Sequence, residues 1–437
     1  MIVEVLRKIT PNGVEKKAIE KTGKKLIKLL ERELKKTIKD VSVDIFGSVS
    51  RDTWLAHEKD IDVFVKFPPS YTKKQLEDVV TSVGKRILKN VEKRFAEHPY
   101  VRGEYNGYSV EIIPCYTVED AAKRLSAVDR TPFHDKFVRS NLRGRQDEVR
   151  LLKQFLKGIG CYGAEAKVEG FSGYLCELLV IHYGSFEEVL KAAVKWQAPV
   201  VIDMKRHQNV AQGFFSPLIF IDPTDRERNV ASALSQHNLS LFVYAAKEFL
   251  KSPKESFFFP SSRAVTKEKV LELFRLRNMR LLSITFQSPD VIEDILYPQL
   301  RKTVRFLERL LTDAGFSVVN SGFFIGQKIT VAFELPAIEL PDAMLHAGPP
   351  VNSKNEDEFL SKHRGSERAL TSPFIRGDRW MVFLKREHKA AGEFIESFLS
   401  KKDLKKKGIP SYIAEELEKR FSVKIDEEGI KDGLGFF

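Results

Sequence analysis

Apolar residues along this chain follow first one period and then another, and the switches mark out elements. Residues 14–37 carry Val14, Ala18, Leu26, Leu30 and Leu34 at multiples of four, the stripe of an amphipathic helix. Lys16, Lys17, Lys21, Lys24, Lys25 and Lys28 crowd its remaining faces, which reads as a solvated surface. Val41–Phe46 alternates with period two, as a half-buried strand does, and Gly47-Ser48 breaks it. A short helix through Thr53 and Leu55 is predicted next. Asp60–Phe67 reads as a second strand, stopped by Pro68-Pro69, and a long helix is predicted from about Thr72 to His98. Ser109–Ile113 is a third strand, ended by Pro114. This α+β pattern fills roughly the first 140 residues.

From Arg143 the period becomes helical, with Val149, Leu152, Phe155, Leu156 and Ile159 on one stripe. Phe171–Val180 reads as a buried helix, 200–203 and 218–223 as strands, and 229–250 as a helix. Beyond residue 280 the rhythm changes again. Strand Leu281–Phe286, helix Gln299–Ala314, a hairpin of 316–324 with 329–333 around Gly326-Gln327, and strand Trp380–Leu384 begin a split βαβ or RRM-like sheet.

Length and charge narrow the class. At 437 residues the chain exceeds one ordinary core, and two to four domains are expected. A hydrophobic fraction of 43% with 32 Phe supplies the material for those cores and excludes a disordered tail. No apolar run reaches about 18 residues, so no membrane span is expected, and residues 1–8 lack the pattern of a signal peptide. Three scattered cysteines without a Cys-x-x-Cys argue for a reduced cytoplasmic setting and against a zinc site. The net charge of +12 fits a polyanionic partner, RNA or DNA, and equally a merely Lys-rich surface. Phe257-Phe258-Phe259 and Lys401–Lys407 have the same double reading, nucleic-acid contacts or interdomain core and solvated charge.

The chemistry concentrates on Asp60 and Asp62. Two apart on a strand, they share a face, while Ile61, Val63 and Val65 point to the core. Paired carboxylates repel unless a cation lies between them, and oxygen ligands suit Mg²⁺. Gly47-Ser48 lies a short way upstream, where a glycine lets backbone approach a phosphate, and Arg51 adds positive charge. Glu111 brings a third carboxylate from strand three. Three carboxylates, Mg²⁺ and a triphosphate cradle make two-metal nucleotidyl transfer. A lone Asp-x-Asp is common on exposed strands; the combination of strand, Gly-Ser, Arg, Asp-x-Asp and a later acidic strand is far more specific.

These residues resemble the signature of the DNA polymerase β-like nucleotidyltransferase superfamily. Further motifs resemble the archaeal (class I) CCA-adding enzyme family: 128–134 (VDRTPFH), 148–153 (EVRLLK), 162–165 (YGAE), 170–177 (GFSGYLCE), Asp222-Pro223, 228–231 (RNVA) and 296–300 (LYPQL). The resemblance is clear from about residue 40 to 300 and thins beyond, where Gly348-Pro349 is its best echo. It implies an α+β, multidomain chain: a polymerase β-like nucleotidyltransferase head over 1–141, a mainly helical neck over 142–260, and RRM-like, α+β body and tail domains for RNA binding over 261–437. It implies template-independent addition of C, C and A to tRNA 3′ ends from CTP and ATP, contact with the acceptor stem, and a homodimer. Gly47, Ser48 and Arg51 would meet the triphosphate. Asp60, Asp62 and Glu111 would be the catalytic metal ligands. His134, Lys153 and Tyr162 would bind the phosphates and sugar, and Arg228 would read the base. Taken alone, Lys153 is a helix-face lysine, Tyr162 a packing residue, and Arg228 part of a surface ion pair in Asp225–Arg228. One position departs from the family: the third carboxylate is usually Asp, and Glu111 is longer by a methylene, enough to shift a reacting group by about an ångström. Competing readings are another RNA-tailing enzyme, such as a poly(A) or oligoadenylate synthase, a small-molecule nucleotidyltransferase, and a non-catalytic RNA-binding protein on the same fold.

Overall fold

The computed structural model describes residues 1–38, 40–95, 99–206, 213–261 and 266–429. The chain divides into two compact units, 1–261 and 262–437.

The first unit opens with helices α1 (Ile2–Ile9) and α2 (Gly13–Leu34). Asn12 starts α2 with a capping box: its side chain accepts from the N–H groups of Val14 and Glu15, and Glu15 reaches back to the Asn12 N–H. Leu26, Leu30 and Leu34 are buried as the stripe predicts, whereas Val14 and Ala18 are exposed and Ile19 takes the inward position one turn in. Strands β1 (Ser42–Phe46) and β2 (Asp60–Phe67) pair antiparallel. Helix α3 (Lys73–Ile87) ends earlier than its sequence suggests, and β3 (Lys89–Phe95) and β4 (Pro99–Tyr105) follow as an antiparallel pair. Lys89, Glu92 and Lys93 have helical composition, but they lie on an edge strand, where charge is favoured, and strand pairing outweighs propensity. His98 lies outside the described residues.

Strand β5 (Tyr108–Tyr116) runs through Pro114 rather than ending there. Its ladder with β4 reaches only Val101–Ile112, so the proline sits beyond that pairing. The sheet order is β1-β2-β5-β4-β3, with β2 and β5 parallel and Asp62 opposite Glu111. Ile61, Val63, Val110 and Ile112 are fully buried on the face that packs against the helices, which leaves the alternate residues on the other face.

Helices α4 (Thr131–Leu142), α5 (Gln146–Gly158), α6 (Gly173–Tyr183), α7 (Phe186–Ala193) and, further on, α8 (Gln236–Lys251) form the second core of this unit. A small sheet interrupts them: β6 (Val200–Ile202), β7 (Leu218–Asp222) and β8 (Asp225–Asn229). Residues 225–229 are thus strand, and the helix read from residue 229 starts at Gln236, capped by Ser235. Val5 and Ile9 of α1 and Leu55 lie within the helical core, so it draws on the first 141 residues too. Two of the three adjacent phenylalanines belong here: Phe258 is buried and Phe257 stacks on Phe155 at 5.8 Å, whereas Phe259 is exposed, with Lys8 Nζ 5.4 Å from its ring centre.

In the second unit, α9 (Lys267–Arg277) precedes β9 (Arg280–Phe286), α10 (Glu293–Asp313), β10 (Asn320–Ile325) and β11 (Ile329–Leu335). Leu296, Leu300, Val304, Leu307 and Leu311 form the buried stripe of α10, which begins two turns before Gln299's expected start. The last strand, β15 (Phe421–Ile425), closes the order β10-β11-β9-β15, the antiparallel arrangement of a split βαβ sheet. Trp380–Leu384 stands apart from it. It lies in β14 (Arg379–Lys385) of a separate sheet with β12 (Ala343–Pro350) and β13 (Phe374–Arg376), beside α11 (Glu356–His363). Helices α12 (Ala391–Leu399) and α13 (Ser411–Lys419) pack on the four-stranded sheet's core. No helix among the described residues is long and apolar enough to cross a membrane.

Candidate active site

The site is built on the β2–β5 face that the helices do not cover. Asp62 and Glu111 are register partners across two parallel strands, and Asp60 lies one pleat away on the same face. Asp60 is exposed, Asp62 and Glu111 partly buried. Burial, then the negative charges of Glu111 and Asp60, push the Asp62 carboxyl up to about 7, against the opposing pull of Arg51 and Lys153. A fourth charged side chain shares this face. Arg102 of β4, the cross-strand partner of Glu111, stands 3.8 Å from Asp60 Oδ1 and 3.9 Å from Glu111 Oε1, and it donates to Ser109 Oγ at 3.1 Å. Among the described residues no three His, Cys, Asp or Glu side chains form a finished ligand cage.

Gly47 closes the site from the end of β1. Its φ is +84°, and a Cβ there would stand 2.4 Å from Asp62 Oδ2, so a larger residue would need both a strained backbone and a displaced Asp62 carboxylate. The expected helix after it is a single turn: the Arg51 N–H reaches Gly47 O at 3.3 Å and the Thr53 N–H reaches Ser48 O at 2.9 Å. Asp52, at φ +53°, ends that turn. Arg150 of α5 holds the irregular exit: its guanidinium donates to the Asp52 carbonyl, to Asp52 Oδ1 at 2.7 Å and to Trp54 O at 3.0 Å. Ser48 is half-buried within the turn.

Arg51 and Lys153 lie behind the turn near Glu177, Arg51 bonded to it directly and Lys153 through Thr53. Arg51 Nη1 donates to Glu177 Oε2 at 2.5 Å and its Nε to Gly47 O at 2.9 Å; Asp135 Oδ1 lies 3.5 Å away. Thr53 Oγ1 donates to Glu177 Oε1 at 2.6 Å, and Lys153 Nζ to Thr53 O at 2.9 Å. Lys153 is buried, not a helix-face lysine, and burial lowers its pKa. Its ammonium and the Tyr162 hydroxyl meet over the start of α6, where a Cβ on Gly173 would stand 3.7 and 3.2 Å from them. Glu177→Ala removes the acid bonded to Arg51 and the largest negative influence on buried Lys153, leaving Arg51 only the more distant Asp135. Denaturant melts should show a loss of about 3–5 kcal/mol, and Glu177→Gln a smaller one.

His134 and Arg228 meet at a second acid. Asp222, fully buried at the end of β7, accepts from His134 Nε2 and from Arg228 Nη1, each at 2.8 Å. Arg228 is therefore not in a surface pair with its neighbours in 225–228. Burial pushes the His134 pKa below the ordinary histidine value, so the neutral ring donates through Nε2. Burial works against the Asp222 anion, yet the bonds from His134 and Thr224 and the charge of Arg228 hold it well below the usual carboxylate range. The His134 ring stacks on Tyr174 at 4.1 Å between centroids. Arg51 acts electrostatically on His134, Tyr174 and Asp62, so the two clusters border one another.

All ten residues singled out in the sequence thus fall into two adjoining groups. Glu177, Asp222, Tyr174, Arg150 and Arg102 were not among them. A signal exists for two of these. Glu177 is the one acid in the apolar helix GYLCELLV, and Asp222 ends the apolar strand LIFID.

Comparison with known proteins decides the family. The nucleotidyltransferase domain profile matches residues 24–134, the second domain of tRNA nucleotidyltransferase matches 147–259, and the CCA-adding enzyme C-terminal domain matches 277–426. A CCA-adding enzyme of Methanosarcina acetivorans is 38% identical over 402 residues, 90% of this chain and 88% of that protein.

The chain belongs to the CCA-adding enzyme family.

A CCA-adding enzyme of Methanothermobacter thermautotrophicus is 36% identical over 98% of this chain and 93% of its own length, and one of Halobacterium salinarum is 39% identical over 91% and 88%. The family match runs on through residue 426, well past the point near 300 where the motifs fade. The carboxylates, the Gly47 turn and His134 fall within the first matched domain; Lys153, Tyr162 and Arg228 fall within the second.

Proposed function

We propose that this chain, as a member of the CCA-adding enzyme family, builds and repairs the 3′-terminal CCA of tRNA. It does so without a template, from CTP and ATP, and releases pyrophosphate. The observation that carries the catalytic reading is the acid face itself: Asp60, Asp62 and Glu111 share one side of β2–β5, with the Gly47 turn against Asp62.

Nucleotidyltransferase domains of the polymerase β type use divalent metal ions, and the donor set fits one. It consists of carboxylate oxygens only, and Asp62 is destabilised as an anion by the other two. Asp60, Asp62 and Glu111 would hold the ion, which we take to be Mg²⁺. Bound there, it supplies charge that favours the ionised 3′-hydroxyl and the leaving pyrophosphate.

The chain's own residues do the rest. The Gly47 turn, with Ser48 and Arg51, seats the triphosphate. Lys153, Tyr162 and His134 hold phosphates and sugar, and Arg228 meets the base edge. The 3′-oxygen of the RNA forms a bond to the α-phosphorus as the bond to the β-phosphate oxygen breaks; the hydroxyl proton passes to solvent. The +12 charge serves the tRNA acceptor stem and 3′ end. By family resemblance the working form is a cytoplasmic homodimer.

Acceptor choice tests this reading. A tRNA transcript without its CCA and an unstructured RNA of equal length would each be incubated with the protein, Mg²⁺ and one nucleotide at a time. The account expects CMP on the tRNA alone. AMP tails on both RNAs would replace it with a general tailing enzyme, and no incorporation on either with a non-catalytic RNA-binding protein.

A further inference from the structure

Asp222 lies within the nucleotide half of the site but has no place among the groups that touch metal or phosphate. It accepts an unusual number of bonds. Oδ2 takes His134 Nε2 and Arg228 Nη1, both at 2.8 Å. Oδ1 takes the Tyr174 hydroxyl at 3.2 Å, the Thr224 N–H at 2.9 Å and the Thr224 hydroxyl at 2.8 Å. A carboxylate has about four lone-pair sites, so this one is saturated, and its own orientation is fixed by the Thr224 turn. The three side chains it gathers come from α4, α6 and β8. Arg228 has 32% of its side chain exposed against 11% for His134, and its Cζ stands 5.8 Å from the Tyr174 ring centre. One end of the guanidinium is therefore anchored on a buried anion while the remainder reaches outward.

We infer that Asp222 is the positioning residue for base selection: by holding Arg228 through Nη1 it aims the guanidinium at the ring nitrogen that distinguishes cytosine and adenine from uracil and guanine.

The chemistry follows from donor and acceptor inventories. Arginine only donates. On the Watson–Crick edge, cytosine N3 and adenine N1 accept, whereas uracil N3 and guanine N1 carry hydrogens. A donor fixed on that position meets a partner in the first pair and a second donor in the other, so rejection comes from an unpaired, desolvated contact. A guanidinium free to swing would instead find the carbonyl oxygens of uracil and guanine. Selectivity thus needs the arginine to be held, not merely present. His134, locked by the same oxygen and stacked on Tyr174, ties the sugar-phosphate end to the same frame. The inference rests on the reading of Arg228 as the base-contacting group.

Asp222→Asn tests it, since the amide keeps the shape and removes the charge that holds both donors. Full-length wild-type and variant enzymes would be compared in kcat/KM for CTP against UTP on tRNA lacking all three terminal nucleotides, and for ATP against GTP on tRNA lacking only the terminal A. The account expects both ratios to fall at least tenfold, with UMP and GMP incorporation rising relative to the correct nucleotide. Unchanged ratios, even with a lower overall rate, would overturn it and leave Asp222 a structural tie. Arg228→Ala separates the two layers. If it too leaves the ratios intact, the base-contacting assignment of Arg228 has failed; if it lowers them while Asp222→Asn does not, only the role of Asp222 has. Should Asp222→Asn not fold, Tyr174→Phe removes just the 3.2 Å bond to Asp222, with an expected fall of about threefold and the same overturning result.

Discussion

Asp62→Asn abolishes nucleotide addition and, once divalent ions are chelated, makes the protein more stable at pH 8. The first effect comes from the loss of a carboxylate proposed to hold the metal together with Asp60 and Glu111, and a rate loss on the order of 10³-fold or more is expected. The second follows from the sign of the pKa shift. The Asp62 carboxyl titrates near 7 in the folded chain because burial and two neighbouring anions oppose its charge. In the unfolded chain it returns to the ordinary carboxylate range. Between about pH 4 and 7 the folded state therefore binds the extra proton, and stability falls as pH rises through that window. Above pH 7 the full cost, about 4 kcal/mol, is present. Asparagine removes it. Thermal melts at pH 8 in chelator should place the variant above wild type, with the gap closing toward pH 4. A variant that melts lower at pH 8 would show that Asp62 is not a strained anion.

Gly47→Ala carries the second largest effect. Two independent demands fall on this residue. Its φ of +84° costs a residue with a Cβ about 1–2 kcal/mol, and the added methyl would stand 2.4 Å from Asp62 Oδ2. Relief requires the turn or the Asp62 carboxylate to move, and either displaces the turn proposed to seat the triphosphate relative to the acid face. A shift of about 1 Å costs on the order of 10²-fold in rate. Single-turnover incorporation should drop by that much while tRNA binding, measured by filter retention, stays within a few-fold. Near-normal incorporation would mean that the turn does not set the reacting geometry.

Much of this site is legible in the sequence because strands advertise themselves by alternation. Asp60–Phe67 reads as a strand with the bounds it has, and its carboxylates face where a period of two puts them. The helical stripe of α5 is equally plain. What hides is polar chemistry inside apolar elements. Lys153 reads as a surface lysine until Thr53 and Glu177 are folded against it, and Asp222 reads as the end of a core strand until α4 and β8 bring His134 and Arg228 to it. His134 and Asp222 are 88 residues apart and Thr53 and Lys153 are 100 apart, separations that no local pattern encodes. The segment after Gly47 fails for a different reason. A short helix is expected there, but the buried Arg150 binds its backbone carbonyls and holds the exit from Asp52 to Trp54 in an irregular path. Strand β3 is missed because an edge strand rich in Lys and Glu has the composition of a helix.

On the proposed reading one acid face drives ordered addition of C, C and A. This is tested by supplying tRNA transcripts lacking three, two or one terminal nucleotides with CTP, ATP, GTP or UTP singly and Mg²⁺, beside an Asp60→Ala/Asp62→Ala control. The account predicts CMP on the first two transcripts, AMP on the third, and nothing from the control. Addition without regard to the transcript's end, or addition that survives the double substitution, would contradict it.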